Sequence, residues 1–379
     1  MRLCLSEEQE LIAQSVRTYF ARESPVGRMR QIRDGRDATG FSRPLWKAMA
    51  GLGWPGMAVS EQFGGSGFGS SELGIIAEQC GRSLAPEPFF STALLGASAI
   101  SVGASQAQQT AILPALARGE LILSLAWQES ARFHPTRIAT TAVSDGSGFR
   151  LHGEKRFVPD AHVADQLVVV ARTMGDPDAP TGLTVFLVDA RAPGVSITRT
   201  SQIDGRNSGI VRLTDVSTGG DSILGALHGG AEVLDHLLDR GSAFLASELV
   251  GISLEAFDRT LRYLKDREQF GVRIGSFQAL QHRAARLFCE CEMAVSVARA
   301  AHWALDHQSS DRSLIASAAK AKCCEVAAQV TNESIQMHGG IGMTDDHDIG
   351  LYLKRARVIS SMLGDQYFHR ARFAALSGF

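Results

Sequence analysis

The sequence predicts a mainly α-helical fold with a β domain inserted between two helical regions. Residues up to about 119 and from about 226 onward carry apolar side chains at helical spacing. Residues from about 120 to 225 instead carry short β-rich runs separated by turn signals, with no long helix between them. We therefore expect three domains, at residues 1–119, 120–225 and 226–379.

The first region opens with a predicted helix. Ser6 stands three residues before Gln9, the spacing of a capping box in which each side chain satisfies a free backbone donor. Apolar residues then recur at helical spacing, namely Leu11, Ile12, Val16, Tyr19 and Phe20. The glycine-rich segment 63–69 lacks the preceding strand and the following Lys-Ser/Thr of a phosphate-binding loop, so it indicates a connecting loop.

The middle region contains five predicted strands. Turn signals at residues 145–148 and 192–194 separate some of these runs. The runs themselves are Leu121–Trp127, Gln166–Arg172, Leu183–Val188, Val195–Thr200 and Ile210–Leu213. They predict an antiparallel barrel or sandwich.

The third region contains long amphipathic helices, which we place at residues 229–266, 276–308, 312–338 and 345–360. Alanine is abundant at their packing positions, which lets neighbouring helices approach closely. This pattern predicts a helical bundle.

Composition excludes several classes of protein. The net charge of −2 gives no surface that would attract nucleic acid. The sequence contains no run of about 18 uncharged apolar residues, so it predicts no transmembrane helix. Acidic residues follow the N-terminus too soon for a signal peptide. The six cysteines lack zinc-ligand spacing, and His347 between two aspartates indicates a helix start rather than a metal site. We expect a cytoplasmic protein without a metal.

Two motifs carry the strongest functional signal. Residues 267–285 read REQFGVRIGSFQALQHRAA, and residues 336–344 read QMHGGIGMT. Together they resemble the cofactor signature of the acyl-CoA dehydrogenase family of flavoenzymes. The resemblance covers essentially the whole chain, and it implies an N-terminal helical domain, a middle β-barrel and a C-terminal four-helix bundle. Within the family, the chain is most similar to small subunits of bacterial heteromeric enzymes of the pimeloyl-CoA dehydrogenase type.

The resemblance implies that the first motif contacts FAD. Arg267 would reach the pyrophosphate of an FAD held mainly by a neighbouring subunit, since a guanidinium can donate two parallel hydrogen bonds to phosphate oxygens. Phe270 would cover part of the cofactor, and Gln278 would also contact it. The alternative is that Arg267 ends a helix, where a cation suits the helix dipole.

The second motif supplies Gln336, Gly339 and Gly340, which match the family's glycine turn after a helix. Glycine lets the backbone come close to the diphosphate, although the turn would also serve as a helix cap. A cofactor shared across an interface implies a tetramer. His282 and His338 match family positions that pack rather than react.

The β domain matches the family less well. One flavin-facing strand, usually written Thr-Glu-Pro-Gly-Ala-Gly-Ser-Asp, keeps only its glutamate, as Glu129. The other, commonly Trp-Ile-Thr-Asn, reads Phe157-Val158-Pro159-Asp160. Phe157 and Val158 remain candidate flavin contacts, but Pro159 offers neither a backbone donor nor a hydroxyl.

The family's catalytic base is missing. The implied reaction removes a proton α to a thioester while a hydride leaves the β carbon, and a carboxylate suits the proton transfer. Leu363 stands where the family writes the glutamate of Tyr-Glu-Gly-Thr, and Gly241 stands at its alternative position. Glu248 lies on the same helical face as Gly241 but about 10 Å further along the axis. Asp365, two residues after Leu363, is the other weak candidate.

Three hypotheses remain open. The chain is one subunit of a heteromeric, FAD-dependent acyl-CoA dehydrogenase that acts in fatty acid or sterol side-chain degradation. Its assembly is then an α2β2 tetramer with a catalytic homologue, and an electron-transferring flavoprotein accepts the electrons. Alternatively it is a structural partner without its own flavin. The third possibility is a self-sufficient homo-oligomeric enzyme whose base has moved to Glu248 or Asp365.

Overall fold

The computed structural model describes residues 4–379 and has the predicted architecture, with helical regions before and after a strand-rich segment. The chain folds as two compact units. The first contains residues 4–31, 70–85 and 242–379, and the second contains residues 32–69 and 86–241. The three-domain division stays a prediction. No helix within the described residues is both long enough and apolar enough to span a membrane.

The helices follow one another as α1 (Glu7–Glu23), α2 (Val26–Asp34), α3 (Arg43–Gly51), α4 (Ser70–Ser83), α5 (Ala97–Gly103), α6 (Gln106–Ala117), α7 (Gly230–Asp266), α8 (Gln278–Asp306), α9 (Arg312–His338), α10 (Ile349–Ser361) and α11 (Gln366–Leu376). The four predicted C-terminal helices correspond to α7 to α10. Helix α8 begins later than predicted because residues 274–276 form a short 3-10 turn before an extended Phe277. Helix α11 was not predicted.

The first unit is a helical bundle in which α9 packs against α8, α10 and α11, and α4 packs against α1 and α8. Helices α4 and α7 cross at two glycines. A Cβ on Gly81 would lie 2.1 Å from the Glu248 carbonyl oxygen, and one on Gly251 would lie 1.9 Å from the Glu78 carbonyl oxygen. The close crossing therefore requires glycine on both helices.

Two helix starts in this unit are capped by different means. The predicted capping box of α1 is confirmed, because Ser6 and Gln9 each bond the other's backbone N–H. Helix α4 instead relies on Asp306 at the far end of α8. Its carboxylate accepts from the backbone N–H groups of Ser70 and Ser71, the second at 3.0 Å. The cap of α4 is thus a long-range contact.

The second unit contains the main sheet. Its strands are β1 (Leu123–Ala126), β2 (Thr141–Asp145), β3 (Gly148–Pro159), β4 (Gln166–Arg172), β5 (Leu183–Asp189), β6 (Val195–Ser201), β7 (Asn207–Gly219) and β8 (Ile223–Leu224). They are ordered β6-β7-β3-β2-β4-β5-β8, and β1 also pairs with β4.

The sheet corrects two details of the prediction. It is mixed rather than wholly antiparallel, because β4 pairs in parallel with β1 and, at one residue, with β2. The two-residue strand β8 was also missed, and so were the longer strands β2 and β3. Many of their residues are polar and exposed, and β3 is bulged at two places against β7, so the usual apolar alternation is interrupted.

Candidate functional site

The first motif forms a β-hairpin directly after α7. Strands β9 (Glu268–Gln269) and β10 (Val272–Arg273) pair across a two-residue turn of Phe270 and Gly271. Both turn residues have positive φ, +56° and +78° respectively, as a tight hairpin turn with right-handed twist requires. The turn leaves the Phe270 side chain 93% exposed.

Arg267 sits at the base of this hairpin. Its backbone N–H donates to the Tyr263 carbonyl at 2.9 Å, and its carbonyl accepts from Ile274 N–H at 2.9 Å, so its position is fixed. The exposed guanidinium forms no hydrogen bond or ion pair with any residue in 4–379. The side chain is therefore available to bind an anion from outside the chain.

The second motif forms a turn at the end of α9. Gln336, Gly339 and Gly340 are all exposed there, and Gly339 has a φ of +65°. A Cβ added to either glycine would meet no atom of the chain within 4 Å. Because Gly340 has ordinary φ, nothing within the described chain requires it to be glycine. The open space beside it fits a close approach by a cofactor or a partner.

The structure brings the two motifs together. The rings of Tyr263 and His338 stack at 4.4 Å, which joins the end of α7 to the end of α9. Arg283 Nε lies 2.7 Å from Glu333 Oε2, which joins the start of α8 to α9. We call the resulting surface the signature face, consisting of Arg267, Phe270, Gln278, Gln336, Gly339 and Gly340.

The signature face combines polar and apolar groups. Gln278 is exposed at the first residue of α8. Large exposed apolar side chains lie on the same two segments, namely Phe270, Val272, Phe277, Ile341 and Met343. A free guanidinium, amides of a glycine turn and exposed aromatic rings suit a diphosphate joined to flat ring systems. The face therefore fits FAD.

His338 supports the glycine turn from beneath. It is buried, and its Nδ1 bonds the Ser334 carbonyl oxygen at 2.6 Å, so Nδ1 carries the proton. Burial lowers the pKa of His338, and the neighbouring His347 ring, 4.5 Å away, lowers it further. Both observations agree with a packing role. His282, by contrast, is exposed on α8.

The candidate flavin contacts of β3 lie in the second unit. Phe157 has a φ of +52° and is 49% exposed, so its ring is accessible. Val158 is 1% exposed, which leaves only its backbone for any cofactor contact. The Pro159 carbonyl is already engaged by the Ser124 hydroxyl. Of the candidate contacts on this strand, Phe157 alone presents an exposed apolar side chain to a ligand.

Glu129, the glutamate retained in the other strand motif, has an internal role. Its carboxylate accepts from Lys155 Nζ at 2.6 Å and from Ala139 N–H at 2.6 Å. Burial lowers the pKa of Lys155 to about 8. Burial raises the pKa of the Glu129 carboxyl, but the charge of Lys155 lowers it, and the net shift is downward. Glu129 thus balances a buried lysine, which the sequence motif did not reveal.

Leu363, predicted to stand where the family has its catalytic glutamate, lies in a turn between α10 and α11. We call residues 362–365 the base turn. Leu363 is buried with a φ of +52°, unusual for a leucine. Its carbonyl accepts from His369 Nε2 at 3.0 Å. Burial lowers the pKa of His369 to about 2, so its ring stays neutral and donates through Nε2.

Lys320 holds the base turn from the other side. Its ammonium is fully buried and donates to the carbonyls of Ile359 at 3.2 Å and Gly364 at 3.1 Å. Sequence inspection missed both Lys320 and His369, since no local spacing signals contacts with this turn. The backbone is strongly constrained at a position whose side chain is a hydrocarbon.

Asp365 serves the following helix. Its carboxylate accepts from the backbone N–H groups of Tyr367 at 3.0 Å and Phe368 at 2.9 Å. It is the N-cap residue of α11, and such caps stabilise a helix by about 1 kcal/mol.

Glu248 is fully buried on α7, beside Arg355. Its Oε1 lies 3.6 Å from Arg355 Nη1, and both side chains are completely inaccessible. The same guanidinium donates to the carbonyls of Leu84 at 3.3 Å and Ala85 at 3.4 Å. Gly241, the alternative base position, is also buried on α7. Glu248 therefore acts as the counter-ion of a buried arginine.

Comparison with known proteins covers nearly the whole chain. Family models match in chain order: "Acyl-CoA dehydrogenase, N-terminal domain" at residues 6–120, "middle domain" at 128–216 and "C-terminal domain" at 228–376. Probable acyl-CoA dehydrogenase YngJ of Bacillus subtilis is 30% identical, over 95% of each chain. The caffeyl-CoA reductase–Etf complex subunit CarC of Acetobacterium woodii is 25% identical, over 94% of each chain.

Among solved structures, a variant of the "Tcur3481-Tcur3483 steroid ACAD" superposes with a TM-score of 0.87. It is 31% identical, and the match covers 98% of each chain. The likeness therefore extends through both compact units and includes the segments that carry the signature face and the base turn.

Proposed function

Because the chain belongs to the acyl-CoA dehydrogenase family and has its fold, we propose that it works as one subunit of a heteromeric member of that family. Members are flavoprotein oxidoreductases that act on CH–CH groups. The reaction is FAD-dependent α,β-dehydrogenation of an acyl-CoA thioester. The chain's role resembles that of the small subunits of pimeloyl-CoA dehydrogenase-type enzymes.

One observation carries the proposal: Lys320 and His369 hold the base turn in place, but the turn carries Leu363. A leucine cannot take a proton from the substrate's α carbon. Two carboxylates were candidates to replace the glutamate, and both have structural roles. Glu248 pairs with Arg355, and Asp365 caps α11. The missing proton transfer is therefore assigned to a homologous partner subunit that keeps the glutamate.

The signature face is proposed to serve an FAD shared with a neighbouring subunit. When bound, FAD supplies the hydride acceptor. The Arg267 guanidinium would bind the diphosphate, and the glycine turn would donate backbone N–H groups to its oxygens. Gln278 and Gln336 offer side-chain amides, while Phe270 covers an apolar part of the cofactor. Phe157, with the backbone of Val158, is proposed to contact a flavin ring from the β domain.

The proposed assembly is an α2β2 tetramer, with an electron-transferring flavoprotein as electron acceptor. The exposed apolar side chains on the two segments that carry the signature face suit burial against another subunit. Two relatives point to the same kinds of partner. The steroid enzyme structure is named for two proteins, and CarC is named as the subunit of a complex with Etf.

The test is the visible spectrum of the purified chain alone and after co-expression with a family member that retains the glutamate. We expect flavin absorbance and acyl-CoA-dependent bleaching only in the co-expressed complex. A chain that is yellow alone and bleached by an acyl-CoA would overturn the proposal and establish a complete site with a relocated base.

A second candidate is a structural subunit that holds no flavin. The burial of Val158 and the engaged Pro159 carbonyl favour it, since they leave few flavin contacts on β3. The Arg267→Ala variant in the co-expressed complex separates the two. Loss of flavin supports the shared cofactor site, whereas unchanged flavin content supports the structural subunit.

A further inference from the structure

We propose that a cavity among α1, α4, α7 and α8 is a binding site for a small carboxylate with an apolar body. The cavity has a volume of about 430 Å³ and is lined entirely by residues of the first unit. This size lies within the range of natural small-molecule pockets. We call it the helical cavity. Its lining includes no residue of the signature face or the base turn.

Gln79 is the first observation that points to a ligand. Its side chain is 4% exposed and lines the helical cavity. Its amide forms no hydrogen bond with any side chain or backbone group in residues 4–379. The Gln79 amide is therefore free to bond a molecule inside the cavity. A ligand oxygen placed there would accept a hydrogen bond from the Gln79 amide.

The charges around the helical cavity select an anion. Its two acids are already engaged, because Glu78 Oε1 lies 3.2 Å from Arg82 Nε and Asp306 caps α4. Arg17 also lines the cavity but forms no ion pair or hydrogen bond within the described chain. Arg17 is exposed, so it lies where the cavity opens to solvent, and its guanidinium is available to an entering anion.

The remaining walls select an apolar body. Ile75, Val250 and Ala298 line the helical cavity with hydrocarbon. The buried His302 ring also lines it, but its Nδ1 bonds Ser70 Oγ at 2.7 Å and its Nε2 bonds Ser247 Oγ at 2.8 Å. Both ring nitrogens are therefore occupied. The Arg17 guanidinium, the Gln79 amide and this apolar wall together match an amphipathic carboxylate.

Octanoate is a suitable probe, and isothermal titration calorimetry on the purified full-length chain measures its binding. We expect one site per chain, with octylamine binding at least tenfold more weakly because its charge is reversed. Arg17→Ala and Gln79→Leu should each weaken octanoate binding by about tenfold, the effect of one lost charge-assisted or buried hydrogen bond. Arg22→Ala, on the same helix but outside the lining, should bind octanoate as the wild type does.

A third variant, Ala298→Phe, fills the helical cavity and should abolish binding. Circular dichroism melts establish that each variant is folded, and Trp303, which lines the cavity, gives a second readout through its fluorescence. Absence of octanoate binding to the wild type would overturn the proposal. So would binding that persists unchanged in Arg17→Ala, Gln79→Leu and Ala298→Phe, since the octanoate would then occupy another site.

Discussion

The signature face and the base turn both lie in the segment matched by the family's C-terminal domain, yet they differ in what their side chains can do. On the signature face, Arg267 is uncommitted within the described chain and Gly340 leaves open space. At the base turn, Lys320 and His369 fix the backbone, while Leu363 provides no titratable group. The signature face thus offers groups that can bind a ligand, whereas the side chain of Leu363 offers none that can take a proton.

The largest effect is expected for the buried pair of Glu248 and Arg355, and it tests whether Glu248 has a structural role. Arg355→Ala would leave Glu248 as a buried charge without the Arg355 cation, and breaking a buried pair in this way typically costs about 3–5 kcal/mol. Urea unfolding measures the loss. Lys354→Ala, the neighbouring and partly exposed residue on α10, should change stability by less than about 0.5 kcal/mol. If Arg355→Ala were equally mild, Glu248 would again be a candidate base.

The next effect concerns pH and His369. Its folded-state pKa of about 2 lies far below the ordinary value of 6.5. As pH falls below 6.5, the unfolded chain binds a proton that the folded chain does not, so stability is lost. The slope is at most about 1.4 kcal/mol per pH unit.

His369→Gln should reduce this slope between pH 6.5 and 5 in urea unfolding series, because glutamine can donate to the Leu363 carbonyl without titrating. His282→Gln, on an exposed part of α8, should leave the slope unchanged. An unaltered slope in His369→Gln would show that this histidine is not the group responsible.

Arg267→Ala tests the signature face directly. Loss of a charge-assisted contact with phosphate is worth about 1.5–3 kcal/mol, or roughly a tenfold to hundredfold rise in the FAD dissociation constant. The ratio of flavin to protein absorbance after gel filtration of the co-expressed complex measures it. Arg262→Ala, five residues earlier and paired with Glu255, should retain wild-type flavin.

Gly340→Ala should have the smallest effect on stability. Since its Cβ meets open space, the free energy of unfolding should change by less than about 0.5 kcal/mol, while flavin retention falls. Gly27→Ala, at an exposed glycine of α2 that also faces open space, should leave flavin retention intact. Full flavin retention in Gly340→Ala would remove the cofactor argument for this glycine.

Helix periodicity predicted the C-terminal bundle well, and α9 spans the predicted residues 312–338. Short strands with exposed faces, such as β2, gave no usable alternation. At the candidate site, the family resemblance supplied the residues of the signature face, and their role stays a prediction; the internal partners of Glu248 and Glu129 were not predicted. Glu248 with Arg355 and Glu129 with Lys155 are pairs between distant segments. Spacing along a chain carries no information about such contacts.

The capping of α4 by Asp306 has a consequence for how the chain matures during translation. The first turn of α4 is capped by a carboxylate that is made 235 residues after Ser71, so we expect this turn to fray until most of the polypeptide has left the ribosome. Nascent chains truncated before Asp306 should show rapid amide exchange at Ser70 and Ser71, and chains extended past it should not. We therefore expect α4 to reach its full length only after the end of α8 has been made.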